Sequence, residues 1–141
     1  MKISTKGRYA LEALTYMASL EQDVLVNIRD IADHTGIPLK YLEQIFFNLR
    51  KSEILVTKRG PSGGYLLNPA LPGMTAGDIV RAVETDMKPV VCLKGREYCE
   101  SGIYDTCVTR LLWGRISEAV ETVLDGITLQ SLGAAYKEKQ A

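Results

Sequence analysis

The sequence contains no apolar run of the roughly 18 to 20 residues that a membrane-spanning helix requires. No charged segment followed by an apolar one opens it, as a secretion signal would. It has no excess of charge of either sign, since 17 Lys and Arg balance 17 Asp and Glu, so charge alone neither favours nor excludes a nucleic acid partner. We therefore expect a cytoplasmic protein without a membrane partner, in a compartment where thiols stay reduced and free to bind metal.

Several signatures of enzymes are absent too. The single histidine, His34, has no evident nucleophile partner, and the sequence has neither a Cys-x-x-Cys pair nor a Gly-Lys-Ser/Thr phosphate-binding loop. We weighed a redox enzyme or electron carrier against a DNA-binding switch, and these absences favour the switch. The sequence therefore predicts a protein that is not an enzyme.

The first part of the chain has the pattern of three successive helices. Ser4 and Asn27 can cap the first two helices, and Gly36 can end the second. Pro38 suits the first position of the third helix. The second helix, a tight glycine-containing turn and the third helix thus follow one another, as in a helix-turn-helix. The third helix has an apolar stripe made of Leu39, Leu42, Ile45, Phe46 and Leu49.

The third helix also has polar residues outside that stripe, mostly at its N-terminal end. In a helix-turn-helix this end enters the DNA major groove. Lys can contact phosphate or guanine, Gln can form two hydrogen bonds with adenine, and Tyr supplies a hydroxyl group and a flat face. The alternative is a face that only meets solvent. The polar residues are Lys40, Tyr41, Glu43, Gln44, Asn48 and Lys51.

Two β-prone runs, Ile54–Thr57 and Leu66–Leu67, are joined by a segment rich in Gly that also contains Pro, which is typical of a hairpin. Lys58 and Arg59 lie at its tip. A basic hairpin after a recognition helix is a wing, where Lys58 can contact phosphate and Arg59 can enter a minor groove. The predicted fold is mainly α with a small β-hairpin wing, a winged helix-turn-helix DNA-binding domain over residues 1–86.

All three cysteines lie in one polar loop, between Cys92 and Cys107. A disulfide framework requires an even number, whereas three thiolates and one further ligand complete a zinc or iron-sulfur site. The alternative is three ordinary free cysteines, but those usually lie in apolar runs. The sequence therefore predicts a metal-binding or cluster-binding loop over residues 87–107.

The last part of the chain, residues 108–141, has the pattern of a dimerisation helix and a final helix. Thr75, before the loop, and Thr128, after it, can cap helices, and we expect the segment from Ala134 to Ala141 to fray. A helix of about five turns with one apolar stripe needs another helix against it. We expect a second copy of the chain, in a two-fold dimer that matches palindromic DNA half-sites; the alternative is packing inside one subunit. The stripe consists of Val108, Leu112, Ile116, Val120, Val123 and Ile127.

Three motifs together, Lys6–Ala10, Tyr41–Gln44 and Arg59–Tyr65, resemble the Rrf-type winged-helix transcription regulators. The resemblance extends from Met1 to about Leu132. Three cysteines after residue 90, followed by Leu-Leu-Trp, are most similar to the branch that regulates iron-sulfur cluster biogenesis. The resemblance implies a homodimeric repressor or activator of those genes, with an iron-sulfur cluster, [2Fe-2S] being favoured, that changes promoter choice.

The resemblance also implies the site residues. The implied partner is double-stranded DNA with a pseudo-palindromic operator, and the implied cluster ligands are Cys92, Cys99 and Cys107. The implied DNA contacts are Lys40, Tyr41, Gln44, Arg59, Pro61, Ser62 and Gly63.

The sequence departs from that branch at informative positions. Lys40 replaces a small hydroxyl residue, so the operator sequence is open. Arg110 replaces the histidine that would supply the fourth ligand, and a guanidinium cannot ligate iron. A nitric-oxide-sensing branch uses an acidic residue near position 8 of the partner subunit, but this chain has Arg8 there, so the fourth ligand stays open. The alternative functions are therefore sensing of nitric oxide or cysteine supply, or structural zinc in the loop. The candidate fourth ligands are Glu97, Glu100, Asp105, Glu43 and His34.

Overall fold

Helices form just over half of the chain between residues 3 and 141, the part that the computed structural model describes. Met1 and Lys2, with which the predicted DNA-binding domain begins, lie outside the described residues. Short 3₁₀ helices at Val91–Lys94 and Arg96–Tyr98 precede the long helix that begins at Val108. The predicted mainly α fold with a β-hairpin is confirmed. The elements are α1 (Thr5–Ser19), α2 (Ile28–Thr35), α3 (Leu39–Lys51), β1 (Leu55–Lys58), β2 (Gly64–Leu67), α4 (Ala76–Val83), α5 (Val108–Asp125) and α6 (Leu129–Gln140).

The predicted helix caps are present. The side chains of Ser4, Asn27 and Thr128 each accept a hydrogen bond from a backbone N–H in the first turn of their helix. Thr75 and Asp78 form a reciprocal capping box at the start of α4. Gly36 ends α2 at a φ of 74°, the left-handed region that favours glycine.

Two predicted helix boundaries were wrong. Pro38 is the N-cap of α3 and not its first residue, because its ψ of 131° is extended and the helix begins at Leu39. The segment from Ala134 onward does not fray but continues α6 to Gln140. Tyr136 in this segment packs against the core through Tyr16, with ring centroids 6.2 Å apart, and this contact stabilises the last turns of α6.

The core forms around α1, which packs against α2, α3, α4 and α6. Small residues permit this close approach, because Ala10 and Ala13 are fully buried. Where α6 crosses α1, a Cβ on Gly133 would lie 2.7 Å from the backbone of Ala18. The closely packed α1 therefore fixes the relative positions of the recognition helix and the C-terminal helices.

The wing is attached at its base. β1 and β2 pair antiparallel from Leu55 opposite Leu67 to Lys58 opposite Gly64. Val26, just before α2, exchanges two backbone hydrogen bonds of 2.8 Å with Tyr65. Together these bonds fix the wing relative to α2 while its tip extends away from the core.

Glu84, at the C-terminal end of α4, holds the first turn of α1. Its carboxylate accepts hydrogen bonds from the Ser4 N–H at 2.8 Å, the Ser4 hydroxyl at 2.6 Å and the Gly7 N–H at 3.2 Å. A Cβ on Gly7 would lie 2.6 Å from this carboxylate. Glycine at position 7 therefore permits the contact.

We predict that Glu84→Ala lowers the free energy of unfolding by about 2 kcal/mol, because it leaves three partly buried donors without their charged acceptor. Urea denaturation measures this change. Glu12→Ala, which removes an exposed glutamate from α1, the helix whose first turn Glu84 holds, is the control. Equal losses for the two variants would contradict a capping role for Glu84.

Candidate nucleic-acid interface and cysteine loop

The two sides of α3 differ as the sequence predicted. Leu42, Phe46 and Leu49 are fully buried and Ile45 is nearly so, and they anchor the helix on α1, α2 and α4. The opposite side is exposed and carries three of the predicted DNA-contacting residues, Lys40, Tyr41 and Gln44. We call this side the recognition face; its exposed residues are Lys40, Tyr41, Glu43, Gln44, Phe47 and Lys51.

Tyr41 is held in place by α1. Its ring meets the ring of Tyr9 edge-on, with centroids 5.8 Å apart and planes at 90°. The Arg8 guanidinium lies 5.8 Å from the centroid of the Tyr9 ring. This contact orients the Tyr41 side chain beside the recognition face and brings Arg8 close to it.

The wing tip is a basic turn. Lys58, Arg59, Pro61 and Ser62 are exposed, so all four can reach a partner. Gly63 is half-buried and donates its N–H to the Gly60 carbonyl at 2.9 Å. A Cβ on Gly63 would lie 2.1 Å from the Lys58 carbonyl oxygen, so glycine is required there to form the turn. Contact of Gly63 with DNA stays a prediction.

α3 packs on β1, so the recognition face and the wing belong to one unit. The Phe46 and Tyr65 rings also meet, with centroids 4.9 Å apart, and join α3 to β2. Both predicted DNA-contacting elements are thus held by the same core. Their arrangement suits a helix in one groove and a hairpin beside it.

The three cysteines occupy different local structures of the loop. Cys92 lies in the first 3₁₀ helix, Cys99 follows the second, and Cys107 is the N-cap of α5. All three are half-buried free thiols. Among residues 3–141, no three His, Cys, Asp or Glu side chains are placed to hold one metal ion together. The sulfur atoms therefore share a loop without converging on one point.

Hydroxyl groups make two of these thiols more acidic. The Ser101 hydroxyl lies 3.6 Å from the Cys99 sulfur and lowers the pKa of that thiol. The Thr109 hydroxyl, 3.3 Å from the Cys107 sulfur, does the same for the pKa of Cys107. A lower pKa favours the thiolate, the form that binds metal. The donors present thus fit three of the four ligands of a cluster.

Arg110 is engaged inside the loop. Its guanidinium lies 4.0 Å from the centroid of the Tyr104 ring, and its Nε donates to the Tyr104 carbonyl at 3.1 Å. Arg96 lies 5.2 Å from the same ring and binds the Asp105 carboxylate, which lowers the pKa of Asp105. We call these contacts the Tyr104 clamp. They engage Arg110, the position at which the resemblance implies a histidine ligand.

Of the other candidate fourth ligands, Glu97 and Glu100 are exposed within this loop, whereas Glu43 and His34 lie outside it. Glu43 is on the exposed recognition face, and its helix packs on α1, α2, α4 and β1. His34 stacks on Tyr16, with ring centroids 4.6 Å apart, in the last turn of α2. His34 is thus an exposed residue whose ring rests on the core. Ligation by Glu43 stays a prediction.

α5 is largely uncovered. In residues 3–141 Ser117 is its one buried residue, while Val108 and Leu111 are 76% and 64% exposed. Leu112, Trp113 and Val123 are exposed as well. A soluble chain seldom leaves so large an apolar surface open. No helix between residues 3 and 141 is both long and apolar enough to cross a bilayer.

A family model described as Rrf2, iron-dependent transcriptional regulator, matches residues 3–135. The chain belongs to the Rrf2 family. The transcriptional regulator IscR of Yersinia enterocolitica is 39% identical over 132 residues, which cover 94% of this chain and 79% of that relative. The Erwinia tasmaniensis IscR is 38% identical over the same length, covering 94% and 78%.

Solved structures agree with this assignment. CymR, the global cysteine regulator of B. subtilis, superposes with a TM-score of 0.79 at 35% identity, covering 96% of this chain and 98% of CymR. T. potens IscR gives a TM-score of 0.79 at 31% identity, covering 100% and 92%. The predicted family and winged helix-turn-helix fold are confirmed. This Rrf2 protein is an IscR-like, DNA-binding transcriptional regulator and not an enzyme.

Sequence reasoning missed two features of this Rrf2 protein. Lys6 and Arg8 are exposed in the first turn of α1, and Arg8 lies next to the Tyr9–Tyr41 pair. The sequence offered one signal for this basic surface, two basic residues separated by one glycine. The second feature is the exposure of Phe47 on the recognition face, which hydropathy alone would have placed in the core.

We predict that Ser101→Ala raises the pKa of Cys99, because it removes the hydroxyl that stabilises the thiolate. Iodoacetamide should then alkylate Cys99 more slowly at neutral pH, and peptide mass spectrometry would follow the rate. Thr109→Ala is the matched control, since it should slow Cys107 and leave Cys99 unchanged. Equal Cys99 rates in the wild type and Ser101→Ala would remove the role of this hydroxyl.

Proposed function

We propose that this Rrf2 protein is a homodimeric regulator that senses iron-sulfur cluster status through Cys92, Cys99 and Cys107. It would control genes for iron-sulfur cluster biogenesis by binding pseudo-palindromic operators. The observation that carries the proposal is the place of three cysteines, two of them acidified, between a DNA-binding domain and an uncovered apolar helix. When bound, an iron-sulfur cluster supplies a redox-active group whose presence depends on cluster supply.

The dimer is supported by α5. Three of its exposed apolar residues, Val108, Leu112 and Val123, belong to the stripe that the sequence predicted, while Leu111 and Trp113 lie outside it. A second copy of α5 is a self-complementary partner for this surface. A two-fold dimer presents two recognition faces to two half-sites. We retain the predicted division into residues 1–86, 87–107 and 108–141 as part of this proposal.

Communication between the loop and the recognition face is supported by the segment after α4. Asp86 pairs with Lys94 of the loop at 2.7 Å, and Lys88 lies 3.8 Å from Glu121 of α5. Two residues before Asp86, Glu84 holds the first turn of α1. A loop that reorganises around its ligand therefore acts on the helix that orients Tyr41.

A second candidate function is sensing of cysteine supply or of nitric oxide. The similarity to CymR over 98% of that chain favours cysteine sensing, as does the Tyr104 clamp, which engages Arg110 at the position of the expected ligand. Structural zinc in the loop is the third. Visible absorption after anaerobic reconstitution distinguishes a cluster from zinc, because zinc gives no colour and an iron-sulfur protein is brown.

We predict that replacing Cys92, Cys99 or Cys107 with Ala abolishes the visible chromophore while a folded dimer remains. Each thiolate would be one ligand, so each substitution would leave the cluster one protein ligand short. Absorption spectra and size-exclusion chromatography provide the two measurements. The cluster proposal fails if all three single variants stay brown.

We predict that Gln44→Ala or Arg59→Ala weakens operator binding by roughly 1 to 3 kcal/mol, the usual loss for one base contact. Lys58→Ala is the matched control: it should reduce the salt dependence by about one charge and leave the preferred sequence unchanged. Gel shifts of the reconstituted and metal-free protein on the promoter upstream of its own gene measure these effects. Unchanged affinity in both base-contact variants would contradict these assignments.

A further inference from the structure

Phe47 is the most exposed large apolar side chain between residues 3 and 107. It is 67% exposed, whereas its neighbour Phe46 is fully buried. Exposure of this extent removes Phe47 from the core and leaves most of its ring available to a partner. Its place in α3 indicates which partner that is.

Helical geometry places Phe47 near the centre of the recognition face. At about 100° per residue, positions three, four and seven residues apart lie on one side of a helix. Gln44 and Glu43 precede Phe47 by three and four residues, Lys40 precedes it by seven, and Lys51 follows it by four. The buried residues Leu42, Ile45, Phe46 and Leu49 occupy the other side.

The charge around Phe47 suits DNA. Lys40 and Lys51 flank it on the same face, and Lys58 and Arg59 lie on the neighbouring wing. These four cations outnumber the single carboxylate of Glu43 on this face. A second copy of the chain, with as many cations on the same face, would meet like charges there, whereas a phosphate backbone is complementary.

Among the base edges in the major groove, the one apolar group is the C5 methyl of thymine. We infer that Phe47 is a specificity-determining residue that contacts a thymine methyl in each half-site. The inference rests on the proposed operator binding and names one base, a thymine, that this binding would recognise. Phe47 lies about 4.5 Å along the helix axis from Gln44, so the thymine lies within about one or two steps of the base that Gln44 contacts.

The test begins with selection of binding sites from random DNA by the wild type and by Phe47→Ala. We expect the Phe47→Ala motif to lose a thymine preference at one position per half-site. In the wild-type operator that thymine is then replaced by deoxyuridine, which lacks only the methyl group. Affinity of the wild type should fall about four-fold per half-site, the factor for one buried methyl, and affinity of Phe47→Ala should not change.

Lys51→Ala is the matched control, because it should weaken all DNA binding and keep the wild-type ratio of thymine to deoxyuridine affinity. A Phe47→Ala protein that keeps this ratio would overturn the inference. So would a Phe47→Ala protein whose oligomeric state changes in size-exclusion chromatography, since Phe47 would then contact protein. A wild type that selects no DNA sequence would overturn operator binding itself, while one that selects an operator insensitive to deoxyuridine would overturn only the role of Phe47.

Discussion

Close packing of α1 against the other helices is the constraint on which the rest of the structure depends. Ala10, Ala13 and Gly133 have side chains small enough to let α3, α4 and α6 approach it together. One helix thereby fixes the recognition face through Tyr9 and the C-terminal region through α6. A larger residue at these positions would disturb both regions at once, because α2, α3, α4 and α6 all pack against α1.

The polar contacts that α4 and the segment after it make with α5 and with the first turn of α1 differ in strength. Arg81 with Asp125, and Lys88 with Glu121, are exposed ion pairs between the α4 region and α5, and such pairs contribute little to stability. Glu84 is partly buried and accepts three hydrogen bonds from the first turn of α1. Of these contacts, Glu84 is therefore the one able to pass a force from the loop to the recognition face.

The sequence predicted features that depend on neighbouring residues. Caps at Ser4, Asn27 and Thr75 are local, and so is the stripe of α3. The contact of Glu84 with Ser4 spans 80 residues of sequence, so no local sequence pattern predicts it. The stripe included Phe46 and left out Phe47, but hydropathy alone does not indicate what an apolar residue does on the exposed side of a helix. Helical phase distinguishes the two phenylalanines once the stripe is known.

The Tyr104 clamp explains how the loop can serve as the sensor in the proposed function. The ion pair of Arg96 with Asp105 is exposed, the contact of Arg110 with Tyr104 is only partly buried, and no residue from 91 to 107 is fully buried. Little packing is therefore lost when the loop rearranges. Ligand binding can draw three separated thiolates together, whereas the packed α1 and α3 resist the same change. In the proposed function the loop would therefore rearrange first, and Glu84 would carry its displacement to the first turn of α1.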